Sequence, residues 1–177
     1  MTTPTANEFA RPIRLDALGG APHDFHFEAD PAERAALAAR FDLPAIERLA
    51  VSAAVRREGQ IVYAEGRITA KVVQQCVASG DLLAAAIAEP FSLRFMPQQD
   101  GSPDDEIELS DGDCDTQAYS GSAIDLGEAA AETLLLALDP FPRRADADEV
   151  LRAAGVVGEQ DVGPFAALKA LKDKLGK

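Results

Sequence analysis

Tryptophan is absent from the chain, and cysteine, histidine, methionine and tyrosine occur only twice each. These shortages exclude a good deal of chemistry. Cys76 and Cys114 each lack a second cysteine at ligand spacing, and two cysteines 38 positions apart do not build a disulfide framework. His23 and His26 stand three apart on an expected strand, which puts them on opposite faces, and no histidine follows residue 26. A zinc centre and a cysteine–histidine nucleophile therefore have little to draw on. No GxSxG elbow occurs, nor GxxxxGK or GxGxxG to cradle phosphate. No run approaches the roughly 18–20 apolar residues that span a bilayer. The opening MTTPTANEFARPIRL lacks the apolar core of a secretory signal. The expectation is a cytoplasmic protein away from membranes, with no cofactor, no metal and no catalytic residue.

Positive charge is also scarce, and unevenly so. The chain carries 17 basic and 30 acidic residues, a net charge of −13. Residues 1–79 hold 9 basic and 10 acidic side chains, and residues 141–177 hold 7 and 6. Residues 80–140 hold 14 acidic residues against a single base, Arg94, so this middle third carries the whole imbalance. Sequence-independent nucleic-acid binding draws on Lys and Arg displacing counterions, and such a field opposes it. The same field steers a cationic partner inward. Solubility with an acidic loop is the plainer alternative.

What remains is a chain of 177 residues with 47% apolar content, the size and composition of one folded domain. Residues 1–12 read as a loose lead-in. Short strands are expected at 13–18 and 23–27. Asp30-Pro31-Ala32-Glu33 is a helix start, with a cap, a proline at the first position and a capping-box glutamate; the helix should run to Arg40. A turn of helix is expected from Pro44. Leu49, Val51, Ala53 and Val55 then share one face of a strand. After the turn at Glu58-Gly59-Gln60, Val62, Ala64, Gly66, Ile68, Ala70 and Val72 share one face of a second, antiparallel strand. Phe91, Leu93 and Phe95 mark a third strand that Pro90 opens. Residues 97–115 read as a mobile acidic loop, and 116–120 as a short returning strand.

The segment 125–138 is the strongest helix, capped by Asp125 and ended by Pro140; Leu134, Leu135, Leu136 and Leu138 predict that its second half is buried. The expected fold is α+β: an antiparallel sheet, flat or curled like a barrel, with an N-terminal capping helix and the 125–138 helix packed on it. The domain spans 1–142, followed by a linker at 143–163 and an amphipathic helix at 164–177. Asp125, Glu128, Glu132 and Asp139 fall on one helical stripe, a solvated face or a contact surface for a basic partner. In the last helix Phe165 and Leu168 share an apolar face, while Lys169 and Lys172 belong to the only basic cluster. These eight residues are the candidate partner-binding set.

Three segments occur in an order that resembles the YceD family, the large ribosomal RNA subunit accumulation proteins. They are Arg67-Ile-Thr-Ala-Lys-Val-Val-Gln-Gln-Cys76, Ile124-Asp125-Leu126 leading to Leu-Leu-Leu-Ala-Leu-Asp-Pro-Phe-Pro142, and Gly163-Pro-Phe-Ala-Ala-Leu-Lys169-Ala-Leu-Lys172. Glu89-Pro90-Phe91-Ser92-Leu93-Arg94-Phe95 is closest to the alphaproteobacterial type. The resemblance implies a non-enzymatic factor needed for normal 23S ribosomal RNA levels in large-subunit biogenesis. Many members carry C-x-x-C after the long strand; Ser79 stands at the second position here, so a metal or redox role is not carried over.

Two routes to that role, and one outside it, are open. An acidic surface could hold a ribosomal protein or pre-ribosomal particle. RNA could be touched directly by Arg56, Arg57, Arg67 and Lys71 of the sheet and by the C-terminal lysines. A metal-dependent hydrolase built on the acidic helix has the least support. The oligomeric state is not legible.

Overall fold

A computed structural model describes residues 7–98 and 115–156. The chain divides into two compact units: Met1–Gln74 with Ala84–Pro140, and Gln75–Leu83 with Phe141–Lys177.

The first unit is built on a five-stranded sheet. Its strands are β2 (His23–Glu28), β3 (Ala45–Glu58), β4 (Ile61–Gln75), β5 (Leu82–Pro97) and β6 (Asp115–Tyr119), in that spatial order. Period-two patterning explains the two long strands. Leu49, Val51, Ala53 and Val55 of β3 and Val62, Ala64, Ile68, Ala70 and Val72 of β4 are all buried on one side. At Gly66 the strands approach so closely that a Cβ would lie 2.3 Å from the Ser52 carbonyl oxygen, which makes glycine necessary there.

Helix α1 (Pro31–Arg40) packs on β3. The Asp30 carboxylate accepts from the Ala32 and Glu33 N–H groups, and the Glu33 carboxylate accepts from Asp30 N–H, completing the expected box. Helix α2 (Leu126–Ala137) seats Leu126, Ala129, Ala130, Ala131 and Leu134 in the same core. A two-stranded ribbon of β1 (Pro12–Arg14) and β7 (Ala123–Asp125) holds the start of α2 against the beginning of the chain.

Several expectations are corrected. The sheet is open, not barrel-like: β2 and β6 are its two ends and do not pair with each other. It is also mixed, because β6 runs parallel to β5. β3 begins directly after Pro44, with no helical turn. β5 starts at Leu82 and passes through Pro90 instead of opening there; among the described residues β6 pairs only with Leu93–Pro97, so the proline falls outside that ladder. The lead-in is anchored, since Phe9 is fully buried, its ring 5.5 Å from that of Phe27. Such burial contributes about 1.5–3 kcal/mol. Of the leucines of α2 and its end, Leu134 is buried, while Leu135 and Leu136 are exposed.

In the second unit, the turn after β4 is tied to the chain beyond Pro140. The Val77 N–H donates to the Pro142 carbonyl (2.9 Å), and Arg144 pairs with Asp81 (2.5 Å) and with Asp146. A short helix α3 (Ala147–Ala153) lies within the expected linker. Among the described residues, no helix is long and apolar enough to cross a membrane.

Candidate functional site: an acidic groove between a strand and a helix

Alternation along β6 turns Gln117 and Tyr119 toward α2, and the first turns of that helix carry Asp125, Glu128 and Glu132 to the same place. Together with Phe95, Ser120 and Ile124 they line an open groove of about 410 Å³. Three of the four acidic residues expected on one stripe therefore meet in it. Asp139 does not; its backbone carbonyl accepts from the buried Gln74 amide (2.9 Å). Phe165, Leu168, Lys169 and Lys172 lie outside the described residues.

The carboxylates differ in how far the fold engages them. Asp125 is fully occupied. Its Oδ1 accepts from the N–H groups of Arg11 (2.8 Å), Gly127 (3.0 Å) and Glu128 (3.2 Å), and its Oδ2 accepts from the Asn7 amide (2.7 Å). The neighbouring Gly127 is needed because a Cβ there would fall 1.8 Å from the Phe9 carbonyl oxygen. Glu128 receives both arms of Arg40 (2.5 and 3.0 Å), and Arg40 also reaches Glu8 (3.1 Å). These carboxylates raise the Arg40 pKa, the hydrogen bonds to Glu128 foremost. Glu132 is the least engaged, with only its Oε2 accepting from Gln117 (2.6 Å). Three carboxylates (Asp125, Glu128, Glu132) thus line the groove with no basic side chain in its lining, and Arg40 pairs with Glu128 from outside it. Residues 99–114, the stretch expected as an acidic loop, lie outside the described residues; they hold seven acidic residues and no base.

Sequence reasoning missed Arg40, Gln117 and Tyr119. Tyr119 donates to the Gln60 carbonyl (2.6 Å), fixing one wall of the groove. The alternation of Gln117 and Tyr119 in β6 was the available signal. Arg40 carried none, because it reaches Glu128 across 88 positions.

Chemically the groove offers hydrogen-bond acceptors and negative charge. Among the described residues no three His, Cys, Asp or Glu side chains gather as a metal site. In the second unit, Cys76 is buried and its thiol pKa is lowered to about 7 by the Ser79 hydroxyl and then by the Arg144 backbone N–H. Ser79 therefore serves Cys76 as a hydrogen-bonding neighbour.

Residues 64–172 match the family described as large ribosomal RNA subunit accumulation protein YceD. The chain belongs to the YceD family. The match runs from β4 through α3, so it includes every residue of the groove, while β1, β2, α1 and β3 lie before it. The family places the chain in ribosome biogenesis, in the accumulation of large-subunit ribosomal RNA. No curated protein and no solved structure matches the chain.

Proposed function

We propose that this YceD protein supports 23S ribosomal RNA accumulation in the cytoplasm without chemistry of its own, by holding a basic segment of a ribosomal protein in the acidic groove. The three carboxylates that line the groove, with no basic side chain among its lining residues, carry this reading, and the composition of residues 99–114 extends it. Ribosomal proteins are cationic and exposed to wrong contacts before they meet RNA. A groove rich in acceptors attracts an Arg- or Lys-bearing segment and releases it when RNA supplies a denser negative charge.

Asp125 and Glu128 hold the fold, so they shape the groove, and docking falls mainly on Glu132 and the acidic stretch. The test is capture of large-subunit ribosomal proteins by the full chain at low and then moderate salt, beside a variant carrying Glu132→Gln, Asp104→Asn, Asp105→Asn and Glu106→Gln. Binding by the parent that weakens with salt, and is lost in the variant, is expected. Equal capture by both proteins, or none by either, sinks the proposal.

A further inference from the structure

Helix α2 carries Glu128, Glu132 and Leu136 at every fourth position, so a single stripe passes from carboxylate to leucine in one step of about 6 Å along its axis. Leu136 is 83% exposed, and it and Leu135 are the large apolar side chains left exposed among the described residues of the first unit. Pro90 and Phe91 of β5, with Leu136 and Ala137 of α2, form the apolar part of an open hollow of about 370 Å³, whose lining also holds Glu89 and Asp115. The hollow adjoins the acidic groove. Thr133 in its lining follows Glu132 on α2, and Asp115 stands two residues before Gln117 on β6.

No basic side chain lines the hollow. Arg94 of β5 lies between the buried Leu93 and Phe95, so alternation turns it to the other face of the sheet, where it donates to the Thr116 hydroxyl (3.2 Å). Arg40 holds Glu128, at the far end of the groove. Arg143 and Arg144, which follow α2 in the chain, pair with Asp148 and with Asp81 and Asp146 inside the second unit. Among the described residues, apolar surface and carboxylates therefore meet here without a neighbouring positive charge.

On the reading that the acidic groove holds a basic protein segment, we propose that the hollow seats a large apolar side chain of that same segment. The partner is then a cationic amphipathic helix, with a leucine or phenylalanine one turn from its lysine or arginine. The spacing fits, because a helix laid along α2 repeats at the same step of about 6 Å, setting one side chain on Leu136 and Pro90 when the next reaches Glu132 and Asp115. Charge disfavours two other occupants. A second copy of the chain would bring the same carboxylates face to face across a two-fold axis. Residues 99–114 carry seven acidic residues and no base, the same sign as the lining.

Fluorescence anisotropy with the full chain and two labelled helical peptides of equal length and charge tests it. One peptide carries leucines beside its lysines, the other alanines in their place. The leucine peptide should bind about tenfold more tightly, the loss expected when a side chain that fills an interface pocket is truncated. Leu136→Ala should erase that preference while keeping the parent urea midpoint, because Leu136 is exposed. Leu82→Ala, at a 66% exposed leucine of the second unit, should keep the preference. Glu132→Gln should weaken both peptides alike, since it removes charge and leaves the hollow. Equal binding of the two peptides, or a preference that survives Leu136→Ala or is lost in Leu82→Ala, overturns the hollow as the anchor site while binding through charge stands. Failure of both peptides to bind at low salt overturns the reading of the groove and this one together. A parent dimer that Leu136→Ala dissociates in sedimentation assigns the hollow to a second copy and likewise overturns the proposal.

Discussion

Replacing Asp125 by alanine should be among the most damaging changes to an exposed-looking acidic residue of this chain. Its carboxylate ends β7, caps α2 and ties down the first described residues through four hydrogen bonds. Losing the cap costs about 1 kcal/mol, within a range of 0.5–2. Leaving the part-buried Arg11 N–H without its acceptor adds about 1–3 kcal/mol. The sum is about 2–4 kcal/mol, a large share of the 5–15 kcal/mol that typically separates folded from unfolded. With a urea m-value of about 2 kcal/mol/M, the midpoint should fall by about 1–2 M. Asp125→Asn separates the contributions. Its Oδ1 keeps three donors, but its new amide faces the Asn7 amide, two donors with no acceptor between them. Asn7 cannot simply flip, since its own Oδ1 accepts from Phe9 N–H (3.1 Å). About 1 kcal/mol is expected for this change. Urea unfolding followed by far-UV circular dichroism gives the answer. If Asp125→Ala unfolds within 0.3 M of the parent (roughly half a kcal/mol at that m-value), the argument from these four bonds is wrong.

Three further outcomes follow from the packing and the titrating groups. Leu134→Ala should cost about 2–5 kcal/mol because the side chain is fully buried, while Leu136→Ala, at an 83% exposed position, should stay within about 0.5 kcal/mol; equal urea midpoints for the two variants would contradict the burial. The Glu33 carboxylate is held below its ordinary 4.5, chiefly by hydrogen bonds from Arg11, so its stabilisation is present above about pH 4.5 and is lost as pH falls through the lower folded value. The stability gap between the parent and Glu33→Gln should accordingly close on acidification, and a gap that widens in acid would reverse the sign. The Cys76 thiol, lowered to about 7, should titrate near pH 7 when thiolate formation is followed by ultraviolet absorbance in a Cys114→Ser background, and Ser79→Ala should move that value upward; a midpoint above pH 8 in the parent refutes the assigned hydrogen bonds. Since that folded pKa lies below the unfolded one, the same thiol adds stability as pH rises from about 7 toward 9, and none below that window.

The elements most legible in the sequence were those with local causes. The Asp30 box needs only four consecutive residues, and the burial of β3 and β4 needs only alternation. What escaped depends on residues far apart in sequence. A helical stripe identifies which way Glu128 faces but says nothing of Arg40, 88 positions earlier. Phe9 looked like part of a loose lead-in because its partner Phe27 belongs to another strand. Four leucines within five positions cover most sides of a helix, so periodicity could not choose Leu134 over Leu136 as the buried one. Pro90 misled because a strand can run through a proline, and β5 begins well before it at Leu82.

The same long-range pairing changes how negative charge should be tested in this family member. A helix face with Asp125, Glu128 and Glu132 invites removal of all three at once, yet two of them hold the fold through Arg11, Asn7 and Arg40. Their loss would lower the amount of folded protein, and ribosomal RNA would fall with it whether or not any partner docks on an acidic surface. Glu132 is free of that ambiguity. It gives up one hydrogen bond, to a glutamine on the exposed side of the groove, when its charge is removed. Glu132→Gln therefore asks whether the protein works through a basic partner without the loss of folded protein that the other two substitutions bring, at a cost to stability that surface positions ordinarily keep within about 0.5 kcal/mol.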